Sequence, residues 1–91
     1  MNVVTVWHDG DFLCVAKDYR SAVIFLINQR YIDGSDEILA DEPNKYCRLD
    51  EYLGEDWADI MTDKWDAAEF NAFYDYWFEI QENYVYDYQP V

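Results

Sequence analysis

Aromatic side chains are dense in this chain although it is also strongly acidic. The 91 residues include 4 Trp, 9 Tyr and 5 Phe beside 20 Asp and Glu and only 6 Lys and Arg, which gives a formal net charge of −14. Acidic disordered segments are poor in aromatic residues, because they cannot bury enough apolar surface to fold. The composition therefore predicts a single acidic domain over residues 1–91, with many of its aromatic rings in the core.

The negative charge is confined to one part of the sequence. Residues 1–32 carry three acids and three bases, whereas residues 33–91 carry 17 acids and three bases, so the whole excess of −14 lies after residue 32. A nucleic-acid binder needs a basic surface to neutralise phosphates, so direct binding of nucleic acid is not expected. The asymmetry predicts an acidic face on a neutral scaffold.

No membrane or secretory segment is expected. The longest apolar run, residues 22–27, is six residues long, which is too short to span a bilayer. Two cysteines, Cys14 and Cys47, give no disulfide framework. We predict a cytoplasmic protein with reduced thiols and no membrane partner.

The first 32 residues are predicted to form a β-hairpin followed by a buried helix. Two apolar runs, 3–8 and 11–16, flank Asp9-Gly10, a dipeptide that tolerates the positive φ angles of a type I′ turn. A two-residue loop sets the predicted pairs: Val6 with Leu13, Val4 with Val15 and Trp7 with Phe12. Asp18 is the expected N-cap of a helix over 19–32, for which a β-strand is the alternative.

The rest of the chain is predicted to add an acidic loop, two helices and a final strand. Residues 33–46 read as the loop, with Ile38-Leu39 as a short edge strand or an anchor. One helix is expected over 49–61 and another over 66–77, the latter opened by Asp66 and Glu69 in a capping box. The tail is a strand or a second hairpin that turns at Glu82-Asn83. The predicted class is α+β, with about three helices and a small antiparallel sheet.

A row of acids is the sharpest candidate for a site. Glu51, Glu55, Asp59 and Asp63 are four residues apart, which on one helix places a carboxylate about every 6 Å along one face. Many charged helix faces are only solvated, but a face that served stability would interleave lysines, and only Lys64 is near. The full set of predicted partner-binding acids adds Asp36, Glu37, Asp41, Glu42, Asp56, Asp66 and Glu69.

Nothing in the sequence has the pattern of a catalytic or metal site. The single histidine, His8, stands beside a tight turn without a nearby nucleophile, and we interpret it as a surface residue at the end of a strand. Two cysteines 33 residues apart and one histidine do not make a zinc site. Three glycines leave no glycine-rich phosphate loop. We expect no enzyme activity, no cofactor and no metal.

Small size, strong acidity and aromatic richness on an α+β frame resemble the phage-encoded DNA-mimic inhibitors, namely anti-restriction proteins, anti-CRISPR proteins and uracil-DNA glycosylase inhibitors. The resemblance implies a non-enzymatic inhibitor that occludes the DNA- or RNA-binding channel of a host defence or repair enzyme. Its partner is then a basic nucleic-acid-binding protein. Duplex DNA carries a charge about every 1.7 Å of its axis. A single row of acids is sparser, so several elements together, or a homodimer, are needed.

A local segment also resembles the barstar-like nuclease inhibitors. Residues 51–57, Glu-Tyr-Leu-Gly-Glu-Asp-Trp, are similar to the Tyr-x-Gly-x-Asn segment that opens the inhibitory helix of that family. The two inhibitory acids of the family would fall at Ala58 and Thr62, whereas this chain has acids one position later. This resemblance implies an immunity protein for a nuclease toxin. A third alternative is an adaptor whose acidity confers only solubility.

Overall fold

The chain folds as an α+β structure with two antiparallel sheets. A computed structural model describes residues 2–40, 45–75 and 77–84. Strands β1, β2 and β5 form the first sheet in the order β2-β1-β5, and β3 pairs with β4 in the second. The elements are β1 (Asn2–His8), β2 (Asp11–Ala16), α1 (Tyr19–Asn28), β3 (Glu37–Ala40), β4 (Lys45–Arg48), α2 (Leu49–Leu53), α3 (Trp57–Asp63), α4 (Ala67–Tyr74) and β5 (Phe78–Tyr84). The predicted fold class is confirmed, with four helices in the described residues instead of about three.

The N-terminal hairpin has the predicted turn but a different register. Asp9 and Gly10 have φ angles of 51° and 84°, both in the left-handed region that a type I′ turn requires. Trp7 pairs with Phe12 as predicted, and their rings meet edge to face at 5.5 Å. A β-bulge then shifts the register. The predicted pairs Val6–Leu13 and Val4–Val15 are therefore wrong, and the observed pairs are Val6–Cys14 and Val4–Ala16.

The final strand completes the first sheet. β5 runs antiparallel to β1 along its length, with Ile80 opposite Val6. Glu82 and Asn83 lie within this strand, so the alternative of a hairpin turning there is wrong. The tail beyond residue 84, with the predicted strand positions Tyr86 and Tyr88, lies outside the described residues.

A side chain of α4 makes the hydrogen bonds to β5 that the backbone of a neighbouring strand would otherwise make. The Asn71 amide donates to the Ile80 carbonyl at 2.9 Å, and its oxygen accepts from the Ile80 N–H at 2.8 Å. Both backbone groups of an almost fully buried residue are thus satisfied by one side chain. This contact fixes α4 against the sheet.

Replacing Asn71 with alanine should lower the free energy of unfolding by about 1–3 kcal/mol, because two hydrogen bonds are lost and the Ile80 groups remain unpaired. The matched control is Asn28→Ala, an exposed asparagine at the end of α1, which should cost less than about 0.5 kcal/mol. Urea unfolding of both variants measures the difference. Equal losses would show that the Asn71 contact does not stabilise the fold.

The first helix begins as predicted and ends earlier. The Asp18 carboxylate accepts from the Ser21 N–H at 2.8 Å, which confirms the N-cap. The helix stops at Asn28 because Arg30 adopts φ 62°. The Arg30 N–H donates to the Ile27 carbonyl, and the Tyr31 N–H donates to the Leu26 carbonyl. This is the pattern of a Schellman motif, which commonly has glycine at the position that Arg30 occupies here. The predicted end at residue 32 is therefore wrong.

The predicted helix over 49–61 is two helices. Gly54 has φ 87° and ψ −168°, a conformation open to glycine but not to other residues, and it separates α2 from α3. The next predicted helix begins as expected, because the Asp66 carboxylate accepts from the Glu69 N–H at 2.9 Å. It ends at Tyr74 instead of the predicted residue 77, because the next residue, Asp75, adopts the left-handed conformation at φ 49°.

The segment predicted as a loop, residues 33–46, contains β3 and the first two residues of β4, the two strands of the second sheet. Ile38 is fully buried and lies opposite Cys47, and Glu37 lies opposite Arg48. The expectation of a short strand at Ile38-Leu39 is confirmed, and the strand at Lys45–Arg48 that pairs with it was not predicted. The Tyr46 hydroxyl donates to the Asp75 carboxylate, which joins this sheet to the end of α4.

The core lies between the first sheet and the helices, and aromatic rings are central to it. Phe70 is fully buried on α4, stacks on Tyr74 at 4.6 Å and meets Tyr19 edge to face at 6.4 Å. Among the described residues, no side chain classed as polar or charged is buried in this core. Tyr74 keeps its hydroxyl satisfied by donating to Asp36 Oδ2 at 3.3 Å. Burial is the main cause that raises the pKa of the Tyr74 phenol, and the Asp36 charge adds to it.

This buried phenol predicts a loss of stability in alkali. Its pKa in the folded state is above the usual value near 10, so its contribution is complete below about pH 10 and is lost as the pH rises further. In Tyr74→Phe, the free energy of unfolding should fall less steeply above pH 10, by up to about 1.4 kcal/mol per pH unit. Urea unfolding between about pH 8 and pH 12 measures the slope. Identical slopes for the two proteins would contradict the assignment.

Candidate acidic interaction surface

Most of the predicted acids lie at the surface. Asp41 and Glu42 fall outside the described residues. Of the other nine, Asp36 is half-buried and eight are exposed: Glu37, Glu51, Glu55, Asp56, Asp59, Asp63, Asp66 and Glu69. Eight of these nine side chains are therefore accessible to a partner, and their role in binding stays a prediction.

The predicted single row of carboxylates is wrong, because the helix that was to carry it is broken at Gly54. Glu51 lies on α2 and Glu55 in the turn that follows, whereas Asp59 and Asp63 lie on α3. These last two keep the spacing of four residues, which is about 6 Å along a helix. The acids therefore come from two helices and the connections beside them.

We refer to residues 55–69, which hold both acids of α3 and four acids beside that helix, as the acidic surface. The segment has six acids and one base, Lys64, for a net charge of −5, and all six acids are exposed. Three apolar side chains between them are buried: Met61, Trp65 and Ala67. The acids are thus fixed on the outer side of elements whose inner side belongs to the core.

Few of the acids are neutralised by bases. Asp63 pairs with Arg20 of α1 at 3.0 Å, and Asp50 pairs with Arg48 at 2.8 Å. These are the ion pairs within residues 2–40, 45–75 and 77–84, and exposed pairs of this kind contribute about 1 kcal/mol or less. Within the acidic surface, five of the six acids have no ion pair with a described residue. Its negative potential is therefore open to a partner.

The Tyr19 side chain shows how α3 and α4 come together beside this surface. Its hydroxyl donates to the Met61 carbonyl of α3 at 2.8 Å. Burial raises the pKa of the Tyr19 phenol, and the charges of Asp66 and Glu69 at the start of α4 raise it further. The Tyr19 side chain of α1 therefore contacts α3 and lies near the acids at the start of α4.

Asp36 serves the fold instead of the acidic surface. Its Oδ2 accepts from the Asp33 N–H at 3.0 Å and from the Tyr74 hydroxyl. Burial is the main cause that raises the pKa of this carboxyl. The residue joins the turn before β3 to α4.

Sequence reasoning missed an open pocket of about 430 Å³ on another part of the molecule. We call it the ring pocket, because the rings of His8, Tyr31, Tyr74, Trp77 and Phe78 line it. His8 is half-buried and its ring stacks on Phe78, so its interpretation as a simple surface residue at a strand end is incomplete. No spacing in the sequence joins these residues, since they come from β1, the turn after α1, α4 and the start of β5.

The described residues contain no cluster of three or more His, Cys, Asp or Glu side chains that could hold a metal ion. Cys14 and Cys47 are both free thiols. In the same part of the chain, no helix has the length and apolar character needed to cross a lipid bilayer.

Comparison of the chain with protein-family profiles, with curated protein sequences and with solved structures finds no match. The resemblances to DNA-mimic inhibitors and to barstar-like inhibitors therefore stay predictions from sequence.

Proposed function

We propose that the protein is a non-enzymatic inhibitor that presents its acidic surface to the basic nucleic-acid-binding groove of an enzyme and excludes DNA or RNA from it. The observation that carries the proposal is the exposure of all six acids within residues 55–69, five of them without an ion pair to a described residue. The partner is a basic nucleic-acid-binding protein, such as a nuclease, a restriction or CRISPR effector or a repair enzyme.

Rigidity favours this use of the charge. The acids project from α3, from the first turns of α4 and from short connections, while Met61 and Trp65 between them are held in the core. The backbone of elements held in place by a core is already ordered, so binding has to order only the side chains that it carries. Complementary potentials also speed encounter with a basic groove. The spacing on α3 is sparser than that of duplex phosphates, so Glu37 and Glu51, or a second copy of the chain, are expected to extend the contact.

Immobilised protein exposed to a host lysate tests the proposal. At about 50 mM salt it should retain a nucleic-acid-binding protein, and most of that protein should be released at about 200 mM, because salt screens exposed charges. Retention that ignores salt, or the absence of any nucleic-acid-binding protein among those retained, would contradict the proposal.

An adaptor is the second candidate, and exposed apolar side chains favour it. Phe12 and Val15 of β2 are 57% and 59% exposed, and β2 is an edge strand of the first sheet. An adaptor that bound through this strand should lose its partner in a Phe12→Ala/Val15→Ala variant and should keep it when the acidic surface is neutralised. The inhibitor should show the opposite pattern.

An immunity protein for a nuclease toxin would use the same charge complementarity. In the segment similar to barstar-like inhibitors, Gly54 lies at the break between α2 and α3. Asp59 and Asp63 are then the exposed acids of α3, the helix that follows the glycine. Binding to a secreted toxin nuclease, instead of a host defence or repair enzyme, would identify this variant of the function.

A further inference from the structure

The ring pocket has a continuous aromatic wall. The His8 and Phe78 rings stack at 4.4 Å with an interplanar angle of 8°. Tyr31 meets each of them at 6.4 Å in an edge arrangement, and Tyr74 meets Phe78 edge to face at 5.8 Å. Four rings from separate elements thus hold one another in place, and all four residues line a cavity of about 430 Å³.

Trp77 completes the pocket with an indole that is 60% exposed. Its backbone is fixed on both sides: its N–H donates to the Tyr74 carbonyl at 3.1 Å, and its carbonyl accepts from the Asp9 N–H at 3.0 Å. A large indole that is open to water and held by its backbone at a pocket is suited to stacking on a planar or cationic group.

The charges that line the pocket are two carboxylates and one guanidinium. Asp36 is half-buried there, Glu37 is exposed, and Arg30 is exposed on the turn after α1. These residues give a net charge of −1, inside a molecule whose formal charge is −14. Aromatic faces combined with carboxylates attract cations, and the field of the whole protein acts in the same direction. Arg30 alone opposes a cation.

We propose that the ring pocket binds a guanidinium group, supplied by an arginine side chain of the basic partner. The plane of a guanidinium can stack on the Trp77 indole while its N–H groups donate to the Glu37 carboxylate. The choice of the partner as the source rests on the proposed function, whereas the affinity of the pocket for guanidinium does not. The pocket then adds a specific anchor to the less specific attraction of the acidic surface.

The test is an NMR titration of the ¹⁵N-labelled protein with acetyl-Gly-Arg-Gly-amide, with acetyl-Gly-Gln-Gly-amide as the uncharged control. The arginine peptide should shift the Trp77 indole N–H and the Tyr31 amide in a saturable manner, and the glutamine peptide should not. Trp77→Ala should weaken binding about two- to fivefold, since exposed cation–π contacts are of that size. Phe12→Ala, which removes an exposed ring outside the pocket, should leave the affinity unchanged.

The variant Arg30→Gln tests whether the ligand of the pocket is positively charged. Removal of this positive charge should tighten binding of the arginine peptide about two- to threefold, and Glu37→Gln should weaken it by a similar factor. Weaker binding in Arg30→Gln, equal binding of the two peptides, or no saturation with the arginine peptide would overturn the proposal.

The titration uses no partner protein, so the two proposals fail separately. If the arginine peptide binds as described but neutralising the acidic surface leaves partner binding intact, the proposed function fails and the guanidinium site stands. If the peptide does not bind while the neutralised surface loses its partner, only the guanidinium site fails.

Discussion

Replacing Phe70 with alanine should lower the free energy of unfolding by about 3–5 kcal/mol. The ring is fully buried, stacks on Tyr74 and meets Tyr19, so its removal leaves a cavity between α4 and α1. A small domain has a total stability of about 5–15 kcal/mol, so the variant should be close to unfolding at 25 °C. Urea unfolding followed by circular dichroism measures the change.

Phe12→Ala is the matched control for the Phe70 variant. Phe12 is 57% exposed and has an edge contact with Trp7, so the same substitution should cost less than about 1.5 kcal/mol. Similar losses at the two positions would show that the core is not centred on α4.

Neutralising the acidic surface should weaken partner binding about ten- to a hundredfold. The variant is Glu55→Gln/Asp59→Asn/Glu69→Gln, which leaves untouched the N-cap Asp66 and the ion pair of Asp63. Each exposed charge is expected to contribute about 0.5–0.9 kcal/mol, and most of the loss should appear as slower association at low salt. The melting temperature should change little, because the relief of repulsion between acids opposes the loss of the Asp59 and Glu69 charges from the first turns of α3 and α4. Surface plasmon resonance with the nucleic-acid-binding protein retained from the host lysate measures the association and dissociation rate constants.

The control for this variant removes the same number of charges elsewhere. Asp9→Asn/Asp11→Asn/Glu82→Gln changes three exposed acids outside residues 55–69, and asparagine tolerates the positive φ at position 9. Its affinity should stay within about threefold of the wild type. Equal losses in the two variants would show that net charge, instead of the acidic surface, governs binding.

Much of the fold could be predicted from local signals, and two of the corrections come from backbone conformations that no residue type indicates. Asp9-Gly10 and the caps at Asp18 and Asp66 act through their own neighbours, so their effects were predictable. Arg30 and Asp75 end helices in the left-handed region without being glycine, and no local pattern reveals that.

The candidate site was predictable in exposure but not in geometry. The acids face solvent because the apolar residues between them belong to the core, which periodicity reveals. Their supposed row depended on a continuous helix, and Gly54 breaks it. The ring pocket could not be predicted, because it exists only once β1, β5, α4 and the turn after α1 are brought together.

The most direct measurement is whether this protein and duplex DNA exclude each other on the same partner. This protein would be labelled with a fluorophore and titrated with the enzyme retained from the host lysate. Its fluorescence anisotropy would be followed at several concentrations of duplex DNA and constant ionic strength. The proposed function predicts that the apparent Kd rises linearly with the DNA concentration from its value without DNA and that no ternary complex forms. An unchanged Kd, with enzyme, DNA and this protein in one complex, would contradict it.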